Sequence, residues 1–186
     1  MTLSLITYTI AAAFALIGVW ALALPAAWRT AMQKFPRYTP AGWVFTVISI
    51  GWFAWNINAS PLGGLDVYKR ALWIVAPTVI YLIIRYMDEL LAPRALGGFL
   101  LLVPGTVLDA SRIDYSTPYR LVMVIVAYGF VVIGCYLVAG PHRFRLWLAS
   151  PIASDTKARR TGASLVALAL GLAAVAYVHY GAAPSP

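Results

Sequence analysis

Long apolar runs alternate with short polar connections along the chain. A helix needs about 20 apolar residues, within a range of roughly 17 to 25, to cross the hydrocarbon core of a bilayer. Six runs are candidates: residues 3–27, 41–57, 71–87, 95–108, 119–139 and 163–180. The fourth is the weakest. It is short, with Gly97-Gly98 near its start and Pro104-Gly105 inside it, so a re-entrant segment competes there with a full crossing. The pattern predicts an all-α, polytopic membrane protein, a single integral membrane domain over residues 1–186. Its expected architecture is a bundle of about six transmembrane helices with short amphipathic cytoplasmic elbows.

Charge in the connections selects among topologies, because Lys and Arg concentrate on the cytoplasmic side of membrane proteins. With six spans, the first, third and fifth connections share a side. They hold Arg29, Lys34, Arg37, Arg85, Arg94, Arg143, Arg145, Lys157, Arg159 and Arg160, ten of the fourteen basic residues. The other side holds Lys69, Arg70, Arg112 and Arg120. Without the fourth span, the five basic residues of the fifth connection would move outside. Six spans are therefore expected, with both termini on the periplasmic side. Trp28, Trp43 and Trp147 flank the cytoplasmic connections, and Trp55 and Trp73 flank the first outer one. Such interfacial positions suit an amphipathic indole. The "ALA" at 21–23 faintly resembles a cleavage site. No basic n-region precedes it and the apolar run is longer than a typical h-region, so the first run is expected to remain as a span.

Composition agrees with lipid as the solvent. The 186 residues are 62% hydrophobic and 11% charged, against roughly 25% charged for a soluble domain. Mean hydropathy is +0.81. The net charge of +8 is split among apolar segments in a topological pattern, so no nucleic-acid partner is expected. Cys135 is the single cysteine. It rules out an internal disulfide and any multi-cysteine metal site, and in its apolar run it reads as a small buried hydrophobe. The Ala-rich, Lys-poor composition points to a bacterial inner membrane.

Two cytoplasmic connections echo each other. Pro25-x-x-Trp28-Arg29 in the first matches Pro141-x-x-Phe144-Arg145 in the fifth. A second proline follows, Pro36 or Pro151, then basic residues and a glycine, Gly42 or Gly162, opening the next span. The physical reading is an elbow. Proline ends the span, and an amphipathic segment then lies in the interface. Its arginines face lipid phosphate. The expected phosphate anchors are Arg29, Lys34, Arg37, Arg143, Arg145, Arg159 and Arg160. A duplicated helix–elbow–helix unit and chance recurrence of membrane-protein composition both remain open.

The stretch from 85 to 112 concentrates three of the six acidic residues, Asp88, Glu89 and Asp109. A hairpin centred near residue 90 would set Arg85, Asp88, Glu89 and Arg94 around its turn, and Arg70, Asp109 and Arg112 at its far end. Arg85 to Glu89 and Asp109 to Arg112 have helical pair spacing. The plain expectation is a charge-stapled hairpin whose Gly97-Gly98 admits close backbone approach. The sharper one is an ion or proton site. Pro77, Pro104 and Gly105 would interrupt the helices, and broken spans point to transporter sites.

The remaining polar groups have ordinary readings. Asn56 and Asn58 end the second span as capping or interfacial residues. Asn58-Ala59-Ser60 is a glycosylation sequon disfavoured by Pro61. His179 reads as interfacial and His142 as solvated, and no histidine pair has ligand spacing, so neither metal nor cofactor is expected. No phosphate loop, HExxH or GxSxG motif occurs. The leading expectation is a non-catalytic integral membrane subunit or scaffold. Its partners would be the bilayer, anionic lipid head groups, and other membrane subunits or copies of itself. A small transporter or channel with a site at the third–fourth hairpin is the alternative. An intramembrane enzyme acting on a lipid or quinone, with Asp88, Glu89 or Asp109 as acid or base, is the third.

Overall fold

The computed structural model describes residues 3–61, 63–87, 90–113 and 119–180. Every regular element among them is helical: α1 Leu3–Ala23, α2 Pro25–Lys34, α3 Thr39–Ala59, α4 Lys69–Tyr86, α5 Leu91–Ile113, α6 Arg120–Ala139, α7 Pro141–Ala149 and α8 Asp155–Val175. Short 3-10 turns cover Phe35–Arg37 and Gly63–Tyr68, and a π-helical turn, Ala176–Tyr180, extends α8.

Among the described residues five helices are long and apolar enough to cross a membrane: α1, α4, α5, α6 and α8. This differs from the expected six, and the difference falls on α3. That helix has the length, 21 residues. Trp43, Trp52, Trp55, Asn56 and Asn58 dilute its apolarity. The fourth run, the doubtful one in the sequence, is instead part of a 23-residue helix, α5. Arg94, Asp109 and Arg112 lie on α5 rather than in loops, so cutting the run at its charges made it look too short.

Prolines set the ends where they fall at an element's start. α1 stops at Ala23, short of the expected residue 27, because Pro25 disfavours helical backbone at Leu24 and opens α2 instead. Pro141 opens α7 in the same way. The two expected elbows are thus separate short helices.

The chain forms two compact units, residues 1–33, 104–129 and 145–186 in one, residues 34–103 and 130–144 in the other. In the first, α1 packs antiparallel on α8. A Cβ on Gly18 would lie 2.8 Å from the Gly162 carbonyl oxygen, and one on Gly162 would lie 2.7 Å from that of Gly18. Only glycine permits that backbone approach, the usual device for helix association in lipid. Below this contact Ala21, Trp28 and Ala158 form a buried cluster, with Met32 and Ile152 against it.

In the second unit α3 runs parallel to the first half of α5. Gly42 sits against Leu91 and Ala92, the Ser49 hydroxyl donates to the Ala95 carbonyl, and Phe99 meets both Phe45 and Trp52. Gly97 of α5 abuts Gly134 of α6, where an added Cβ on either would fall 2.9 Å from the other's carbonyl oxygen. α4 packs on α3. All 18 residues of α4 are described and none is buried.

Candidate functional site

Of the charges expected to staple a hairpin, Asp109 and Arg112 form no ion pair among the described residues. Asp88 and Glu89 lie outside the described residues. Arg85, on α4, is exposed, and Arg94, on α5, is half-buried. Asp109 and Arg112 are both exposed on the last turns of α5. Among the described residues none of these four is in an ion pair. Arg70 is exposed at the start of α4.

The described ion pairs lie elsewhere. Lys69 Nζ is 2.8 Å from Asp66 Oδ1 and donates to the Ser60 carbonyl at 2.6 Å. Arg29 donates from Nη1 to Asp155 Oδ1 at 2.6 Å and from Nε to the Ile152 carbonyl at 2.7 Å. Arg29 is therefore a clasp between α2 and the start of α8, where the sequence suggests a lipid-phosphate anchor. A guanidinium has five donors in a rigid fork and can hold two acceptors at once. Asp155 sits in the first turn of α8, where the helix dipole favours an anion. Ser154 caps that helix by accepting from the Lys157 N–H at 3.2 Å. Of the other expected anchors, Lys34, Arg37, Arg159 and Arg160 are exposed. The side chains of Arg143, Arg145 and His142 lie outside the described residues.

The expected helix breaks are not breaks. α4 runs unbroken through Pro77, and α5 through Pro104 and Gly105. Proline removes one backbone donor and crowds the carbonyl a turn earlier, which a long helix held by its neighbours tolerates. Of the Gly97-Gly98 pair, Gly97 alone makes a close approach, while a Cβ on Gly98 would meet open space.

Two side chains differ in exposure from what the sequence suggests. Trp28 is 4% exposed, packed in the α1–α8 cluster, and its Nε1 has no hydrogen-bond partner among the described residues. Cys135 is exposed on α6, not buried. Near the far end of α8, His179 stacks on Tyr119 with ring centroids 3.6 Å apart, and the Tyr180 hydroxyl donates to the Tyr119 carbonyl at 2.7 Å. The π-turn aims both side chains at the start of α6.

A groove of about 370 Å³ lies between α3 and α4. Gly51, Ala54, Trp55 and Asn58 line it from α3; Leu72, Trp73, Ala76, Pro77 and Ile80 line it from α4. Small residues form its floor, and Trp55 and Trp73 its rims, both largely exposed. Of these residues the sequence marks Pro77 as a break, Trp55 and Trp73 as interfacial and Asn58 as capping or interfacial, and none of them as a groove. The groove follows from packing: Gly51, Ala54 and Ala76 fall opposite one another only because α4 crosses α3 in this register. Chemically it is a trough for an apolar chain, with an amide, Asn58, toward one end. No protein-family model, curated protein or solved structure matches the chain.

Proposed function

We propose that the chain is a non-catalytic integral membrane subunit or scaffold of a bacterial inner membrane. It crosses the membrane six times with both termini outside, and packs within a larger membrane complex or with copies of itself. The observation that carries the subunit reading is α4. This helix is long and apolar enough to cross a membrane, yet none of its residues is buried. Trp73, Ile74, Tyr81 and Tyr86 are each more than 60% exposed on it. Large aromatic side chains of this kind are enriched where membrane and protein surfaces meet partners.

The Arg29 clasp supports six crossings rather than five. It joins the α1–α2 end of the chain to the start of α8, on one end of the α1–α8 pair. Between those two points an even number of crossings is required. Helices α4, α5 and α6 would supply three, and α3 the fourth. Its tryptophans and asparagines lower its hydropathy without adding a charge, and such residues are tolerated in a span that packs on protein.

The transporter reading leaned on interrupted helices, and both candidate helices are continuous through their prolines. The test of the subunit reading is the native particle. Extracted gently from its own host and weighed by native mass spectrometry, the protein should run as a larger particle of fixed stoichiometry, with other subunits or with itself. A lone monomer carrying only lipid would overturn it.

A further inference from the structure

The groove between α3 and α4 is mostly apolar, with the Asn58 amide in its lining. Trp73, Pro77 and Ile80 line its α4 wall. Arg70 begins the same stripe, three, seven and ten residues before them, and that spacing keeps all four on one helix face. Arg70 is exposed and in no ion pair among the described residues. Its neighbour Lys69 is already engaged by Asp66 and Ser60. Asn58 faces the same end of the groove, and its amide has no hydrogen-bond partner among the described residues. Within the groove, Pro77 has no N–H, so the Trp73 carbonyl loses its usual intrahelical donor. From Arg70 to Ile80 the helix rises about 15 Å. That is half of a hydrocarbon core roughly 30 Å thick, the depth of one leaflet.

We infer that this groove holds one anionic phospholipid, with its phosphate on Arg70, its head group within reach of the Asn58 amide, and an acyl chain along Pro77 and Ile80 over Gly51 and Ala54. Arginine's planar fork matches phosphate with two parallel hydrogen bonds. An anionic head group adds no ammonium to oppose the guanidinium, whereas a zwitterionic one does. A Cβ on Gly51 would meet nothing within 4 Å, so the trough is open where the chain would lie. The inference rests on the membrane reading above but not on the subunit reading.

The test uses the full chain in detergent, titrated with phosphatidylglycerol and with phosphatidylcholine of the same chain length, and weighed by native mass spectrometry. One phosphatidylglycerol should be retained where phosphatidylcholine is lost. Arg70→Gln should weaken phosphatidylglycerol retention roughly five-fold and leave phosphatidylcholine unchanged. Gly51→Phe should fill the trough and release phosphatidylglycerol, while Gly171→Phe, at an equally open glycine of α8, should retain it. Thermal melts of all three variants check the fold. Equal retention by wild type, Arg70→Gln and Gly51→Phe would overturn the site, as would displacement of the lipid by millimolar inorganic phosphate alone. Loss of a protein subunit from Gly51→Phe with the lipid count unchanged would also overturn it, by making the groove a docking site. Release of the protein from membranes by alkaline carbonate would instead defeat the membrane reading itself.

Discussion

Arg29 shows how one side chain gains a role that its sequence neighbourhood does not suggest. Beside Trp28 and between two prolines, it looks like an anchor for lipid phosphate. In the fold it holds a backbone carbonyl and a carboxylate more than 120 residues away. The Asp155 side chain is 55% exposed, so the ion pair alone contributes at most about 1 kcal/mol. The bond to the Ile152 carbonyl adds about 1 kcal/mol more. Arg29→Ala should therefore cost roughly 1–2 kcal/mol, and Asp155→Asn clearly less, because it spares the carbonyl bond. Thermal unfolding of the two variants in one detergent checks the order. An unchanged melting temperature for Arg29→Ala would mean that lipid, not Asp155, is the arginine's partner in the membrane. No local signal marked this pairing. Asp155 is separated from Arg29 by most of the chain, and an arginine followed by aromatic and basic residues reads the same way whether it meets phosphate or carboxylate.

Among the elements, proline chemistry was the most legible feature. Pro25 and Pro141 were expected to end spans, and each opens a short helix after a single non-helical residue. Interior prolines are less legible because their effect depends on neighbours. Pro77 and Pro104 lie in helices long enough to absorb a missing hydrogen bond. Glycines divide in the same way. Gly18, Gly97, Gly134 and Gly162 stand at backbone contacts, while Gly51, Gly98, Gly105, Gly129 and Gly171 face open space. Composition cannot separate the two groups, since each glycine sits in a similar apolar run. Gly162→Leu should therefore open the α1–α8 seam and destabilise by about 1–3 kcal/mol or more. Gly171→Ala on the same helix should stabilise slightly, by up to about 1 kcal/mol. Melting temperatures decide the point: equal tolerance at 162 and 171 would show that α1 and α8 do not meet through Gly162.

For the whole molecule, the parity of crossings is the quantity that matters. Single cysteines at positions 32 and 157, introduced in a Cys135→Ser background, report the sidedness of the two elbows. If α3 crosses, both should label from the cytoplasmic side. If α3 lies outside the hydrocarbon, the two positions must fall on opposite sides, and the six-crossing topology fails. The sequence by itself determined the class: the low charge, the apolar runs and the prolines between them dictate helices long enough for a bilayer, because hydrogen-bonding demand in lipid leaves a helical chain little else to form. Tertiary structure alone decided which helices touch. The glycine seams, the Arg29 clasp, the burial of Trp28, the exposure of α4 and the groove on α3 all depend on the relative rotation and depth of packed helices. Those are set by interlocking side-chain shapes across long sequence separations, and a run of apolar residues carries almost no record of them.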